Sequence, residues 1–232
     1  MNPFASALAA YHGGDFTSDF LIRRDDGFEQ LVPASVFFSE EFPDLEKIAL
    51  QYCRGSILDV GAAAGRHSLE LLRHGHQVTA LEILPEMKEI MQARGVPDVV
   101  IEDIRSYGKK RFDTLLMLMN GIGMVGNFPS LDPFLSHAHS LLTPGGQILC
   151  DSIDVEKTEN PTHVAYRERN VSLGMSPGQQ TFTIRHGEIQ GEPFDWLHLG
   201  FHTLSKQAER CGWRAKLLTQ EPSGRYLALL TL

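Results

Sequence analysis

Cysteine is scarce in this chain. Cys53, Cys150 and Cys211 are odd in number, lie far apart and form no Cys-x-x-Cys pair. A disulfide framework and a structural zinc site are therefore disfavoured, and a reducing, cytoplasmic setting is expected. Cys150 and Cys211 stand in apolar segments, as small buried side chains do. Positive charge is in deficit: 21 Lys and Arg against 29 Asp and Glu leave a formal net charge of −8. Such a surface repels phosphate backbones and anionic lipid, which disfavours nucleic acids and membranes as partners. No stretch approaches the roughly 18 apolar residues of a spanning helix. Residues 1–6 lack the basic region and apolar run of a secretory leader. Internal repeats and low-complexity tracts are missing, and no His, Cys, Asp or Glu spacing marks a metal site, so no metal is expected.

What is present is an ordinary globular composition, 232 residues with 42% hydrophobic side chains, enough for one α/β domain with a substantial core. The chain is organised around residues 56–82. Ile57-Leu58-Asp59-Val60 is a short apolar run of the kind that forms a buried parallel strand. It breaks into the small-residue loop Gly61-Ala62-Ala63-Ala64-Gly65, followed by a helix with Leu69, Leu71 and Leu72 as apolar positions, stopping near Gly75. A second strand, Val78-Thr79-Ala80-Leu81, ends on Glu82, which lies 23 residues after Asp59. Strand, tight loop, helix, strand and terminal carboxylate form a right-handed βαβ unit suited to a nucleotide-like ligand. The small loop lets a ligand approach the backbone, the helix start offers unpaired N–H groups, and the acid stands where it accepts from ribose hydroxyls.

Elsewhere the pattern continues the α/β alternation. A short helix is expected near residues 2–11 and a charged turn at 23–28. Pro43 opens a helix through Leu45, Ile48, Ala49 and Tyr52 that packs on the sheet. Beyond Glu82, Met87, Ile90 and Met91 make a core-facing helical stripe, and Val99-Val100-Ile101 is a third strand. The run at 112–119 reads as a central strand ending at Asn120-Gly121-Ile122-Gly123, in the crevice where open α/β sheets bind ligands. A helix over 129–142 follows, with His137 and His139 facing solvent, then a turn at Thr143-Pro144-Gly145-Gly146 and a strand through Asp151 and Ser152. Residues 153–200 are polar with scattered aromatics, and a β-hairpin is expected across 187–191. A helix from Phe201 and an antiparallel hairpin across Glu221-Pro222-Ser223-Gly224 close the chain.

Asp59-Val60-Gly61-Ala62-Ala63-Ala64-Gly65 resembles the acid-x-Gly-x-Gly-x-Gly signature of class I S-adenosylmethionine-dependent methyltransferases. Alanine replaces the middle glycine at Ala63, a mild departure if its φ is negative. Leu142-Thr143-Pro144-Gly145-Gly146 entering an apolar strand resembles a second mark of that family. The resemblance covers about residues 54–152 and 201–232. It implies a doubly wound, mostly parallel seven-stranded sheet with an antiparallel last strand and helices on both faces. Residues 1–53 are then an N-terminal cap, 54–232 the cofactor-binding domain, and 153–200 an insertion after the fifth strand that helps select the acceptor.

In cofactor terms, the resemblance implies that Gly61, Ala62, Ala63 and Gly65 approach the methionine portion while Asp59 orients their loop. Glu82, with Ile83 beside it, holds the ribose; Asp103 and Ile104 mark the adenine; Met119, Asn120 and Gly121 line the sulfonium side. His67 stands near the methionine carboxylate or in solvent. The implied reaction is methyl transfer to a small-molecule acceptor by in-line displacement. A base is needed only if the acceptor arrives protonated; His12, Asp151, Asp154, Tyr166 and His202 are candidates, and none is singled out as catalytic. The alternatives are a non-catalytic S-adenosylmethionine-binding module and, less well matched, an NAD-linked oxidoreductase, whose second and third glycines would fall on Ala63 and Arg66. Asn120-Gly121-Ile122-Gly123 is not the Asn/Asp-Pro-Pro-aromatic motif of DNA amino methyltransferases. Residues 120–127 also lack the carboxylates of an aminopropyl transferase.

Overall fold

A computed structural model describes all 232 residues. Helix α1 (Pro3–His12) begins where the Asn2 side chain accepts from the N–H groups of Phe4 and Ala5, a polar cap for otherwise unpaired donors. Its Ala5, Ala7 and Leu8 are buried. Strands β1 (Asp19–Arg24) and β2 (Glu29–Pro33) form a hairpin around the charged turn. Helix α2 (Asp44–Tyr52) buries Leu45 and Ala49 against the main sheet, as its spacing predicts.

The βαβ unit follows as β3 (Ser56–Val60), α3 (Arg66–Arg73) and β4 (Gln77–Glu82), with β3 and β4 parallel. Next come α4 (Glu86–Ala93), β5 (Val99–Ile101), β6 (Phe112–Met117), α5 (Leu131–Leu141) and β7 (Leu142–Ile153). The strand order of the seven-stranded sheet places β3 between β4 and β6. The chain runs outward from β3 through β4 to β5, then crosses back to β6 on the other side. That reversal is the topological switch point, and it opens a crevice at the strands' C-terminal ends. Alternate side chains feed two faces: Ile57, Leu116 and Leu149 meet α2, while Leu58, Leu115, Met117 and Ile148 meet α5. Apolar residues on both faces are what a covered parallel sheet requires.

The expected turn at 143–146 is instead part of β7. Phe112 pairs with Leu142 and Thr114 with Gln147, so the intervening residues bulge out of register. His137 and His139 are half-buried, not solvent-facing; the His139 ring stacks edge-on to Trp213 at 4.5 Å, because α5 is covered there by the C-terminal elements.

After β7 come α6 (Pro161–Ser172), β8 (Gln179–His186), β9 (Ile189–Gln190) and β10 (Phe194–Leu197), then α7 (Phe201–Arg210), β11 (Arg214–Gln220) and β12 (Arg225–Thr231). β12 inserts antiparallel between β7 and β11, so the last strand runs against the parallel set. A second sheet, ordered β10-β8-β1-β2, joins strands from both ends of the chain: Ile22 of β1 pairs with Ile184 of β8. No helix is long and apolar enough to cross a membrane.

Candidate active site

The loop after β3 is shaped by the end of β4. The N–H groups of Gly61 and Ala62 both donate to the Leu81 carbonyl, at 2.9 and 3.1 Å. The Ala63 N–H donates to Glu82 Oε2 at 2.9 Å, while Ile83 and Leu84 N–H groups donate to Oε1 at 2.8 and 3.1 Å. Glu82 is buried, and burial pushes its carboxyl above the ordinary value against the pull of those three donors. The acid at the strand end therefore templates the loop as well as facing the crevice.

This anchoring forces one departure from expectation: Ala63 has φ +49°, inside the left-handed region. A mid-loop alanine with negative φ is not what the fold contains, because three hydrogen bonds within three residues dictate the path. Gly65, at φ +78°, starts α3; a Cβ there would stand 3.0 Å from Val96 and 3.1 Å from Met91. At Gly61, φ +72°, a Cβ would meet Met124 Sδ at 2.7 Å. Only glycine fits those two positions.

Asp59 is buried and accepts a 2.6 Å hydrogen bond from Ser68 Oγ, tying β3 to the first turn of α3. Burial raises its carboxyl, opposed by His67 and Ser68. Across the crevice, Met119 and Asn120 take consecutive left-handed conformations, φ +64° and +61°. Such conformations cost of order 1–3 kcal/mol each and cluster at functional sites. Asn120 Oδ1 is buried with no hydrogen-bond partner, and the Gly121 N–H donates to Asp151 Oδ1 at 3.1 Å.

Beneath both loops lies an ionic cluster that the sequence does not reveal. Glu46 of α2 meets His67 Nε2 at 2.9 Å, Arg66 at 3.2 Å and Arg225 at 3.2 Å. Arg225 also donates to Asp151 Oδ2 from Nε and from a terminal nitrogen, at 3.0 and 2.8 Å. Glu46 is drawn down to about 2: burial opposes ionisation, but His67, Arg66 and Arg225 outweigh it. His67 is thus buried against Glu46, neither in solvent nor free for a ligand. Arg66 also donates to the carbonyls of Val36 and Glu41, and Arg94 donates to those of Ala64 and Phe38. Two arginines so clamp residues 36–41 onto the loop.

A cavity of about 630 Å³ opens at the strand ends. Gly61, Glu82, Ile83, Asp103 and Ile104 line it; the other expected residues (Asp59, Ala62, Ala63, Gly65, Met119, Asn120 and Gly121) do not. Unforeseen lining comes from Met124, Val125 and Asn127, and from Phe194, Asp195 and Trp196 of β10. Both Asp103 carboxylate oxygens are engaged by Arg105, which holds that carboxyl below its ordinary value. Among the base candidates, Asp151 is locked to Arg225, Tyr166 donates to Asp25 at 2.6 Å, and Asp154 caps a turn through the Glu156 N–H. His12 and His202 are exposed.

These residues fit S-adenosylmethionine. The cavity is large enough for an adenosine-sized group, a buried carboxylate stands at the end of β4, and the orphaned Asn120 oxygen is an acceptor awaiting a donor.

Comparison with known proteins agrees. Residues 57–146 match a family described as a methyltransferase domain. A solved structure, an S-adenosylmethionine-dependent methyltransferase from Bacteroides fragilis in complex with S-adenosylhomocysteine, is 33% identical. It aligns over 100% of this chain and 94% of that one, with a TM-score of 0.89. Two curated relatives are named ubiquinone biosynthesis O-methyltransferase. The one from Xanthomonas euvesicatoria is 26% identical over 113 residues, 45% of this chain and 46% of that protein. The one from Xylella fastidiosa is 26% identical over 185 residues, 74% and 72% of the two chains. The chain spans less than half of the first relative's length. With its strand order, its loop after β3 and a full-length likeness to a cofactor-bound enzyme, the chain belongs to the class I S-adenosylmethionine-dependent methyltransferases.

Proposed function

We propose that this methyltransferase acts on a small molecule, and that a hydroxyl-bearing compound is the first acceptor class to test. One observation carries the reading: the second sheet roofs the crevice. Thr181 of β8 and Phe194–Trp196 of β10 line the same cavity as Gly61 and Glu82. By covering the cofactor's side of the crevice, this sheet restricts access to the transferred methyl group to a compact acceptor and leaves little room for a folded macromolecule. The names of the curated relatives support oxygen as the atom methylated.

Bound S-adenosylmethionine supplies an electrophilic methyl group on sulfur, so the protein's task is alignment and exclusion of water. In this reading the 61–65 loop lies along the methionine portion, with Asp59 fixing the loop's geometry through Ser68. Glu82 accepts from the ribose, Ile83 and Ile104 flank the adenosine, and Asn120 Oδ1 accepts from a donor on the methionine end. Met119 and Gly121, the latter held through its N–H by Asp151, shape the methyl-facing wall. The buried carboxylates near that wall are already paired, so an acceptor that ionises readily suits it better than an ammonium that must first be deprotonated.

The test is a panel of phenols, amines and thiols incubated with the protein and S-adenosylmethionine, with release of S-adenosylhomocysteine measured for each. Turnover confined to small hydroxyl compounds supports the reading. Methyl incorporation confined to added protein or nucleic acid, or into amines alone, overturns it.

A further inference from the structure

The cavity described above has two walls of different origin. One comes from the ends of β4 and β5, with Glu82, Asp103 and Ile104. The other comes from the roof, chiefly β10. Of the residues assigned to the methionine and sulfonium side, Gly61 alone reaches it; Ala62, Ala63, Gly65, Met119, Asn120 and Gly121 do not line it. The cavity is therefore mainly the adenosine half of the site, and β10 faces adenosine there.

β10 is fitted to this place. Its Trp196 indole lies on Gly123 so closely that a Cβ there would stand 2.0 Å from Nε1. One turn on, Gly126 takes φ +84° and the Asp195 backbone lies in ordinary contact beside it, its carbonyl oxygen 3.7 Å from where a Cβ would be. The missing side chain at Gly123 is what lets the roof strand seat against the segment after β6. Asp195 is then held from one side only: Thr181 Oγ1 donates to Oδ1 at 2.9 Å, and Oδ2 has no protein partner.

Adenosine presents three donor groups, two ribose hydroxyls and the exocyclic amino group of the purine. Glu82 stands at the ribose position. The carboxylate expected at the amino group, Asp103, has both oxygens taken by Arg105 at 2.5–3.0 Å. We propose that Asp195, supplied by the roof, accepts a hydrogen bond from the adenine amino group through Oδ2 and so makes the roof a reader of the cofactor's base. This rests on the cofactor placement proposed above.

The test is calorimetric binding of S-adenosylhomocysteine and of S-inosylhomocysteine, which carries oxygen in place of the amino group. Asp195 is exposed, so a carboxylate hydrogen bond here corresponds to at most about tenfold in affinity. The unaltered protein is expected to prefer the adenosyl ligand by about that factor. Asp195→Ala should lose the preference by weakening the adenosyl ligand alone, and Asp195→Asn, which keeps a carbonyl acceptor, should restore part of it. Thr181→Val should weaken the adenosyl ligand by about threefold, since the carboxylate loses its orienting donor. Equal weakening of both ligands by Asp195→Ala, or loss of the preference in Asp103→Ala instead, overturns the proposal. Failure of the unaltered protein to bind either ligand would overturn the cofactor placement itself, a distinct result.

Discussion

Two ionic clusters stabilise this enzyme, and their surroundings give them different weight. The one beneath the cofactor loop joins Glu46, Arg66, His67, Asp151 and Arg225; Glu46 is 2% exposed and Asp151 fully buried. The one in the roof joins Arg24 to Asp26 and to His163 Nδ1, with Tyr166 and Arg169 both donating to Asp25. The Arg24 guanidinium is buried and lies 4.0 Å from the Tyr166 ring centre, but Asp25 and Asp26 reach solvent. Where a carboxylate has water as an alternative partner, losing its arginine costs little. Where it has none, the charge is stranded in the core.

Paired variants break this comparison directly. Arg225→Met leaves Asp151 buried with only the Gly121 N–H, and a stranded buried charge costs about 3–5 kcal/mol. Arg24→Met keeps apolar contact with Phe28 and Tyr166 and strands nothing, so about 1 kcal/mol is expected. Urea unfolding followed by tryptophan fluorescence checks both, since Trp213 lies in the core and Trp196 in the roof. Equal costs for the two variants would show that burial of the carboxylate does not set the difference.

Acid sharpens the same contrast. Glu46 titrates near 2 in the fold against 4.5 unfolded, so its contribution is complete above about pH 4.5 and is lost as pH falls towards 2. The full difference corresponds to about 3 kcal/mol at most. In the roof, Arg24 always donates, so His163 Nδ1 must accept and the ring must be neutral. Burial, then the neighbouring arginine, lowers the His163 value below 6.5; the unfolded state therefore binds more protons just below that pH and the roof loosens first. Hydrogen exchange across an acid series is expected to show α6 opening at milder pH than α2. Glu46→Gln should flatten the pH dependence of stability below about 4.5 without moving the α6 transition. Simultaneous opening of both helices would mean the two clusters act as one.

How far the sequence discloses the molecule follows the same division. The strands of the main sheet, the helix at 44–52 and the antiparallel ending are written in local periodicity and in Gly and Pro positions, each within a few residues of what it controls. The lining of the cavity is legible wherever one segment carries it, as at Glu82 or Gly61. The core cluster is not, because its members stand at 46, 66, 67, 151 and 225 and meet only once the sheet is ordered. The roof sheet is hidden for the same reason: Leu21 pairs with Arg185, and neither stretch says so alone. Asp151, a base candidate in sequence, becomes a structural anion because Arg225 arrives from the last strand.

Ala63 is the smallest and sharpest place where this long-range organisation overrides local preference. A left-handed alanine costs roughly 1–2 kcal/mol relative to its favoured conformations, and the loop holds it at φ +49° through the hydrogen bonds to Glu82 and Leu81. Ala63→Gly removes the steric cost but adds backbone freedom to the unfolded chain, about 0.5–1 kcal/mol in the opposite direction. A net gain of about 0.5 kcal/mol is expected, raising the melting temperature by about 1–2 °C. Affinity for S-adenosylhomocysteine should stay within about twofold, since the anchoring hydrogen bonds come from the backbone and not from the side chain. Calorimetric melting with and without S-adenosylhomocysteine checks both. A lower melting temperature for the variant would mean that the Ala63 methyl group, buried in the cluster with Ala62 and Ala64, contributes more by packing than its backbone conformation costs.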